Sequence, residues 1–440
     1  VSSRSQSKKW TLRECVDYAV ENNISVKQTE LDIKTTIIDK RGAIGDFLPS
    51  LNANASHSWN IGLNQDITTG LLQNQTTQFT SAGANIGMDI YKGMQNQNTL
   101  RRANLSVVAA TYQLLKMQED IALNVANAFL QVLFNKENLK VQTYQVTISE
   151  KQLNRSEELV NAGTIPRGDL LDVKATLASD KQKVITAENL LLISKLSLAQ
   201  LLQLDNFQDF DVVDDTEATD ENNILLQTPT AIYDKAKEER TELKIAQTNL
   251  EIALKNLAIA KGAFQPTLIG FYNFNSRISY ADIALRDNTG NIIGAQAPPP
   301  FFSQFGNNKG QSFGAQLSIP VFNGLSARNN VERSKVSLAK SKIAVEQQDL
   351  DLKRNVYIAF TDAKGALNAH ESSIVALESR QEAYYYAKER FDVGLLNSFD
   401  LNQSQTLLSN AQSDVLRTKY DYIFKIKIVE FYFGIPIIKN

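Results

Sequence analysis

After Pro49, polar and apolar residues alternate strictly: Leu51, Ala53, Ala55, His57 and Trp59 are separated by Asn52, Asn54, Ser56, Ser58 and Asn60. Period-two patterning of this kind predicts a strand with one apolar and one polar face. A returning strand shows the same pattern, with Ala82, Ala84, Ile86, Met88 and Ile90 set against Ser81, Gly83, Asn85, Gly87 and Asp89. Phe313, Ala315, Leu317, Ile319 and Val321 repeat it much further along the chain. Four strands are expected, at about 49–61, 80–92, 266–276 and 311–322. Strands of about ten residues are long enough to cross hydrocarbon at a tilt.

Between the strands the period changes. Leu114, Ile121, Val125, Ala128 and Val132 step by sevens, fours and threes, the seam of a coiled coil, and no residue from Met94 to about Asn161 interrupts it. Val345, Leu352, Val356, Ala359 and Ala363 repeat that frame. At 1.5 Å per residue such a helix is roughly 100 Å long. Helices of about 36 residues are expected from Thr11 to Asp46 and from Asp169 to Leu204, which laid end to end match the long one.

The chain is written twice. "GANIGMDIYKGM" from Gly83 aligns with "GAQLSIPVFNGL" from Gly314, and the offset of 231 (314 − 83) holds without a gap as far as Leu204 and Ile435. Upstream, Pro49 matches Pro266 at an offset of 217, so the register changes inside the Gly-, Asn- and Pro-rich stretch "SYADIALRDNTGNIIGAQAPPPFFSQFGNN", which reads as a loop. The expected organisation is a first repeat over 1–204, an inter-repeat linker or equatorial region over 205–230 and a second repeat over 231–440. The acids of the linker are those of a solvated connection or of a belt around a helical bundle.

Each long helix ends in a break. "NAGTIPRGDLLDV" from Asn161 and "DVGLLNSFDLNQ" from Asp392 both set an Asp six residues after a Gly, pairing Gly163 with Gly394 and Asp169 with Asp400. A Gly with positive φ suits a helix reversal, and Asp in the first turn of the returning helix suits its dipole whatever else it does.

Composition narrows the function. Acidic and basic residues nearly cancel, 48 against 46, and no basic run alternates with aromatics, which argues against nucleic acid. One cysteine, Cys15, and two histidines, His57 and His370, are too few for a thiolate or imidazole metal cluster, and Cys15 reads as a small buried residue. Phosphate loops, nucleophile triads and paired acid/base carboxylates are not evident, so neither an enzyme nor a bound cofactor is expected. No apolar run reaches the roughly 18 residues of a spanning helix, which leaves the closed β-barrel as a route through a bilayer. Four strands cannot close one; three chains supply 12, with each edge pairing to the next copy.

The duplicated helix-strand-strand-helix order, the Phe47-Leu48-Pro49 exit, "DIYKG" and "PVFNG" before the long helices, and the Gly-to-Asp tips resemble the TolC-type outer membrane efflux proteins. The resemblance runs from about Trp10 to Ile437. It implies an internally duplicated α+β membrane protein: a homotrimeric channel-tunnel whose 12-stranded transmembrane β-barrel, four strands per chain, continues into an α-helical coiled-coil barrel in the periplasm. It further implies an outer membrane channel of a tripartite efflux or type I secretion system, conducting passively from an inner-membrane pump and a periplasmic adaptor to the exterior. The family's constricting acids six and nine residues after the second Gly correspond to Asp400 and Gln403, and in the first repeat to Asp169 and Asp172. Gly163, Thr164, Gly394 and Leu395 correspond to the tip that meets the adaptor. The first repeat departs from the pattern in lacking a Pro before the aromatic of "DIYKG", and only five residues follow Ile435. The alternative is a soluble elongated scaffold or adaptor-like protein without a pore, which has no need of four matched alternating strands.

Overall fold

The structure is a computed structural model; it describes residues 9–66, 70–204, 210–213 and 224–435. In chain order the elements are β1 (Lys9–Trp10), α1 (Leu12–Asn22), α2 (Ile24–Gly45), β2 (Ser50–Gln65), β3 (Leu72–Lys92), α3 (Gln95–Asn161) and α4 (Arg167–Leu202), followed by β4 (Asp211–Val212) and α5 (Pro229–Glu239). The remainder comprises α6 (Thr241–Gly262), β5 (Thr267–Ser279), β6 (Ile283–Arg286), β7 (Ile292–Gln296), α7 (Phe301–Asn307), β8 (Lys309–Ser318), α8 (Ser326–Asp392) and α9 (Ser398–Tyr432). The chain divides into two compact units, Val1–Lys34 with Val108–Gln247 and Ile343–Asn440, and Thr35–Val107 with Thr248–Lys342, so each sequence repeat contributes to both.

The first unit is helical. Ile121, Val125 and Val132 of the α3 seam are buried with Phe129, and they pack in one core with Cys15, Val26, Leu198 and Leu202. Leu352, Val356, Ala359 and Ala363, their counterparts on α8, form a second core with Ile232, Ala236, Ile426 and Val429. Thr11 and Glu14 close a reciprocal box at the start of α1: the Glu14 N–H donates to Thr11 Oγ1 at 3.2 Å and the Thr11 N–H donates to Glu14 Oε2 at 3.0 Å. Trp10 stacks edge-on against Tyr18 with ring centroids 5.2 Å apart, and β1 pairs in parallel with β4.

One expectation changes here. The helix expected from Thr11 to Asp46 is broken at Asn23, which takes an extended backbone (φ −60°, ψ 133°). Arg240, 217 residues later, breaks the second copy in the same way (φ −67°, ψ 129°). Tertiary contacts outweigh one residue of helix at both places. Asn23 Nδ2 donates to the Leu201 carbonyl at 3.0 Å while its Oδ1 accepts the Ser25 N–H. The buried Arg240 guanidinium pairs with Glu119 at 2.8 Å and lies 3.8 Å from the centre of the Phe431 ring.

α4 also is long and apolar enough to cross a membrane by length and composition, without containing an uninterrupted apolar run. Glu188 and Lys195 interrupt its apolar stretch, and Lys195 is committed to an ion pair with Asp211 at 3.0 Å. Leu198 and Leu202 of the same stretch are buried in the helical core.

The second unit holds a four-stranded antiparallel sheet in the order β2-β3-β5-β8. Residues directly opposite one another share a face, so the register tests the alternation. Leu51 faces Ile86, Ile86 faces Tyr272 and Tyr272 faces Phe313; Ala53, Ala84 and Phe274 form a neighbouring row, as do Leu268 and Leu317. All of these lie on one face. An irregularity between Asp89 and Tyr91 brings Tyr91 opposite Leu268, turning it to the apolar side. β2 extends to Gln65, beyond the expected end, whereas β8 stops at Ser318, short of 322, because Pro320 has no N–H to donate. Between strand and long helix the chain turns through Gly93 and Met94, both at positive φ, as do their counterparts Gly324 and Leu325. A Cβ on Gly93 would stand 2.2 Å from the Gly262 carbonyl oxygen, so only Gly permits that approach.

Candidate functional site

The candidate site consists of the two helix reversals of the helical unit. α3 ends at Asn161, and Gly163 follows with φ +74°. Its N–H donates to the Val160 carbonyl at 3.0 Å and that of Thr164 to the Leu159 carbonyl at 2.9 Å, the paired bonds that finish a helix on a left-handed residue. α8 ends identically. Gly394 has φ +76°, donates to the Phe391 carbonyl at 2.9 Å, and is followed by Leu395 donating to the Arg390 carbonyl at 2.8 Å. Gly163, Thr164, Gly394 and Leu395 are all exposed.

The returning helices begin differently. Asn397 caps α9, its Oδ1 accepting the Asp400 N–H at 2.8 Å. Pro166 precedes α4 without a side-chain cap, and its carbonyl accepts the Asp169 N–H at 3.2 Å. Asp169 is half-buried, whereas Asp172, Asp400 and Gln403 are exposed. Asp169 and Asp172 lie three residues apart, on one side of α4.

Residues 16–203 and 232–424 match the family model described as outer membrane efflux protein. The chain belongs to this family. One matched stretch lies in each half of the chain. The outer membrane efflux protein is 22% identical over 385 residues to the outer membrane protein TolC of Vibrio cholerae, covering 86% of this chain and 80% of that one. It is 21% identical over 430 residues to TolC of Escherichia coli strain K12, covering 96% and 81%. Among solved structures, that of CusC superposes with a TM-score of 0.81 at 15% identity, covering 98% of this chain and 94% of that one, and establishes the shared fold. The family is one of outer membrane efflux and secretion channels, and the outer membrane is where this protein resides.

Two features of the site in this efflux protein escape the sequence reading. The second reversal is apolar, with Val393, Leu395 and Phe399 exposed where the first has Ala162, Thr164 and Gly168. Comparing the two repeats position by position is the signal that finds them. Away from the reversals, with Ser149 lying 12 residues before the end of α3 (161 − 149), a buried polar chain joins three helices. Ser149 Oγ of α3 donates to Asp180 Oδ2 of α4 at 2.6 Å, Lys183 pairs with the other carboxylate oxygen at 3.0 Å, and Gln405 Nε2 of α9 donates to Ser149 at 3.2 Å. The positions 231 residues away hold Arg380, Ala411 and Lys174, which cannot form the same chain.

A second polar cluster joins the short β1–β4 pair to the helices. Lys136 Nζ donates to Asp211 Oδ2 at 2.9 Å and to the Val212 carbonyl at 2.8 Å, with Lys195 on the opposite side of the carboxylate. Burial disfavours the charged form of Asp211, but the two lysines outweigh it and hold the carboxyl below its ordinary range.

Proposed function

We infer that three copies of the chain form one passive channel through the outer membrane, receiving cargo from an inner-membrane pump through a periplasmic adaptor. One observation carries this reading: the sheet is apolar mainly on one face, with Phe79, Ile269 and Phe271 on the other, and among the described residues its two edges, β2 and β8, are unpaired. Open edges in lipid leave backbone N–H and C=O groups without partners, which costs several kcal/mol each. Cyclic pairing of β8 with the β2 of the next copy removes every edge, and three sets of four strands make a barrel of 12. The helices of each copy then line a coiled-coil tunnel continuous with that barrel.

Asp400, with Gln403, and Asp169, with Asp172, narrow the tunnel at the helix reversals. Three copies place rings of carboxylate there, which favour cations electrostatically. The exposed reversals around Gly163, Thr164, Gly394 and Leu395 receive the adaptor, and the apolar Leu395 supports the second reversal as the stronger contact. Energy enters at the pump, and the channel opens as docking spreads the tips. Purified protein in a planar bilayer tests this: Asp400→Ala raises resting conductance and weakens cation preference. Unchanged conductance and selectivity remove Asp400 from the gate, and a monomeric, non-conducting protein removes the channel.

A further inference from the structure

The loop that distinguishes the two repeats, between β5 and β8, folds into the β6–β7 hairpin and the short helix α7. α7 immediately precedes β8 and sits beside the last residues of β5, beyond Ser276 where the β5–β8 ladder stops: Gln304 Nε2 donates to the Ser279 carbonyl at 2.9 Å, its Oε1 accepts the Ser279 N–H at 3.0 Å, and Asn308 Nδ2 donates to the Arg277 carbonyl at 2.8 Å. The helix thus covers a strand edge, satisfying groups that would otherwise be unpaired. It also leans onto the apolar face. Phe305 contacts Phe274 with ring centroids 6.2 Å apart, and Ser276 Oγ donates to the Phe305 carbonyl at 2.9 Å. Phe274 and Ser276 share their face with Ala84 and Ala82, the face assigned to lipid.

At 100° per residue, Phe302 points about 200° away from the anchoring Gln304. It is 84% exposed although it is a large apolar side chain, and Phe301 packs edge-on against it. The level is informative. Gln304 holds Ser279, whose neighbour Tyr280 donates its N–H to the Gln78 carbonyl, and Gln78 faces Trp59 across the β2–β3 ladder. Tyr280, Trp59 and His57 form an aromatic group on the apolar face, with His57 4.2 Å from Trp59 and 5.6 Å from Tyr280 between ring centres. Aromatic rings gathered at one height of a lipid-facing band mark a membrane–water boundary.

We propose that α7 is an interfacial anchor, its Phe301–Phe302 pair seated in the headgroup–acyl boundary of the outer leaflet at the level of Trp59 and Tyr280. The inference rests on the channel reading, which makes this face lipid-exposed and the loop end of the strands external. It assigns the added loop length a membrane-binding role.

Phe302→Cys labelled with bimane tests this in full-length protein reconstituted into phosphatidylcholine–phosphatidylglycerol vesicles. The native thiol, Cys15, is buried and does not compete for label. Leu395→Cys, at an exposed helix reversal, is the aqueous control. The expected result is blue-shifted emission, quenching by headgroup nitroxide lipid that exceeds quenching by deep-chain nitroxide, and acrylamide quenching about threefold below the control. Acrylamide quenching equal to the control overturns the anchor, as does resistance to both lipid and aqueous quenchers, which would place Phe302 against a neighbouring copy. Ser303→Cys, a polar exposed neighbour, carries the same label if Phe302→Cys does not assemble. The same preparations are tested for current in planar bilayers. Current with a water-exposed label defeats the anchor alone, whereas loss of current and of the oligomer in unlabelled wild type defeats the channel reading with it.

Discussion

Gln405 of α9 donates to Ser149 of α3 across 3.2 Å, and Ser149 in turn donates to Asp180 of α4, so one buried chain ties the hairpin of the first repeat to the last helix of the second. Both partners are buried, which makes the bond sensitive to deletion. A double-mutant cycle with Ser149→Ala and Gln405→Leu is expected to show a coupling of about 1 kcal/mol. Thermal melts of the four proteins measure it. Asp180→Ala, which leaves the buried Ser149 hydroxyl without its acceptor, is expected to cost about 2 kcal/mol.

Asp211 gives the helical unit a pH dependence. Its carboxyl titrates below the ordinary range in the folded protein, so its stabilisation is complete above the unfolded value, about pH 4, and is lost as the pH falls through the lower folded value. Asp211→Asn is expected to lower stability at pH 7 by on the order of 2 kcal/mol and to flatten the acid limb of a plot of stability against pH. An acid limb identical to that of the wild type would show that Asp211 does not control it.

Two glycines with similar φ answer to different constraints. At Gly163 nothing stands within 4 Å of an added Cβ, so Gly163→Ala is expected to cost only the left-handed backbone term, about 1–2 kcal/mol. At Gly93 the added Cβ meets the Gly262 carbonyl oxygen at 2.2 Å, and Gly93→Ala is expected to cost more than that or to prevent assembly. Comparing folded yield and melting temperature of the two variants separates strain from collision.

Gln203 ends α4 at φ +58°, where its counterpart in the second repeat is Gly434 at φ +88°. Both make the same paired terminal bonds, Gln203 and Leu204 to Gln200 and Ala199, and Gly434 and Ile435 to Phe431 and Glu430. Gln203→Gly therefore is expected to relieve strain and stabilise the protein by about 0.5–1 kcal/mol, read as a rise in melting temperature. A fall in melting temperature would show that the Gln203 side chain, whose Nε2 donates to the Gln200 carbonyl, contributes more than the strain removes.

Period and repetition are local properties of a chain, and they were legible. Strand faces followed from the alternation at Leu51, Ala53 and Ala55, the α3 seam from the spacing of Ile121, Val125 and Val132, and the helix reversals from Gly163 and Gly394 recurring at one offset. The tertiary structure decided what depends on partners distant in sequence. Asn23 and Arg240 interrupt helices that the local pattern continues, because Leu201 in one case and Glu119 with Phe431 in the other repay the lost turn. The β1–β4 pair is two residues long, too short to carry any period, and is fixed by contacts distant in sequence: Lys136 and Lys195 hold Asp211, and Phe210 and Val212 are buried in the helical core. The placement of α7 on the apolar face depends on where β8 begins along β5, a difference in strand length that no single segment encodes.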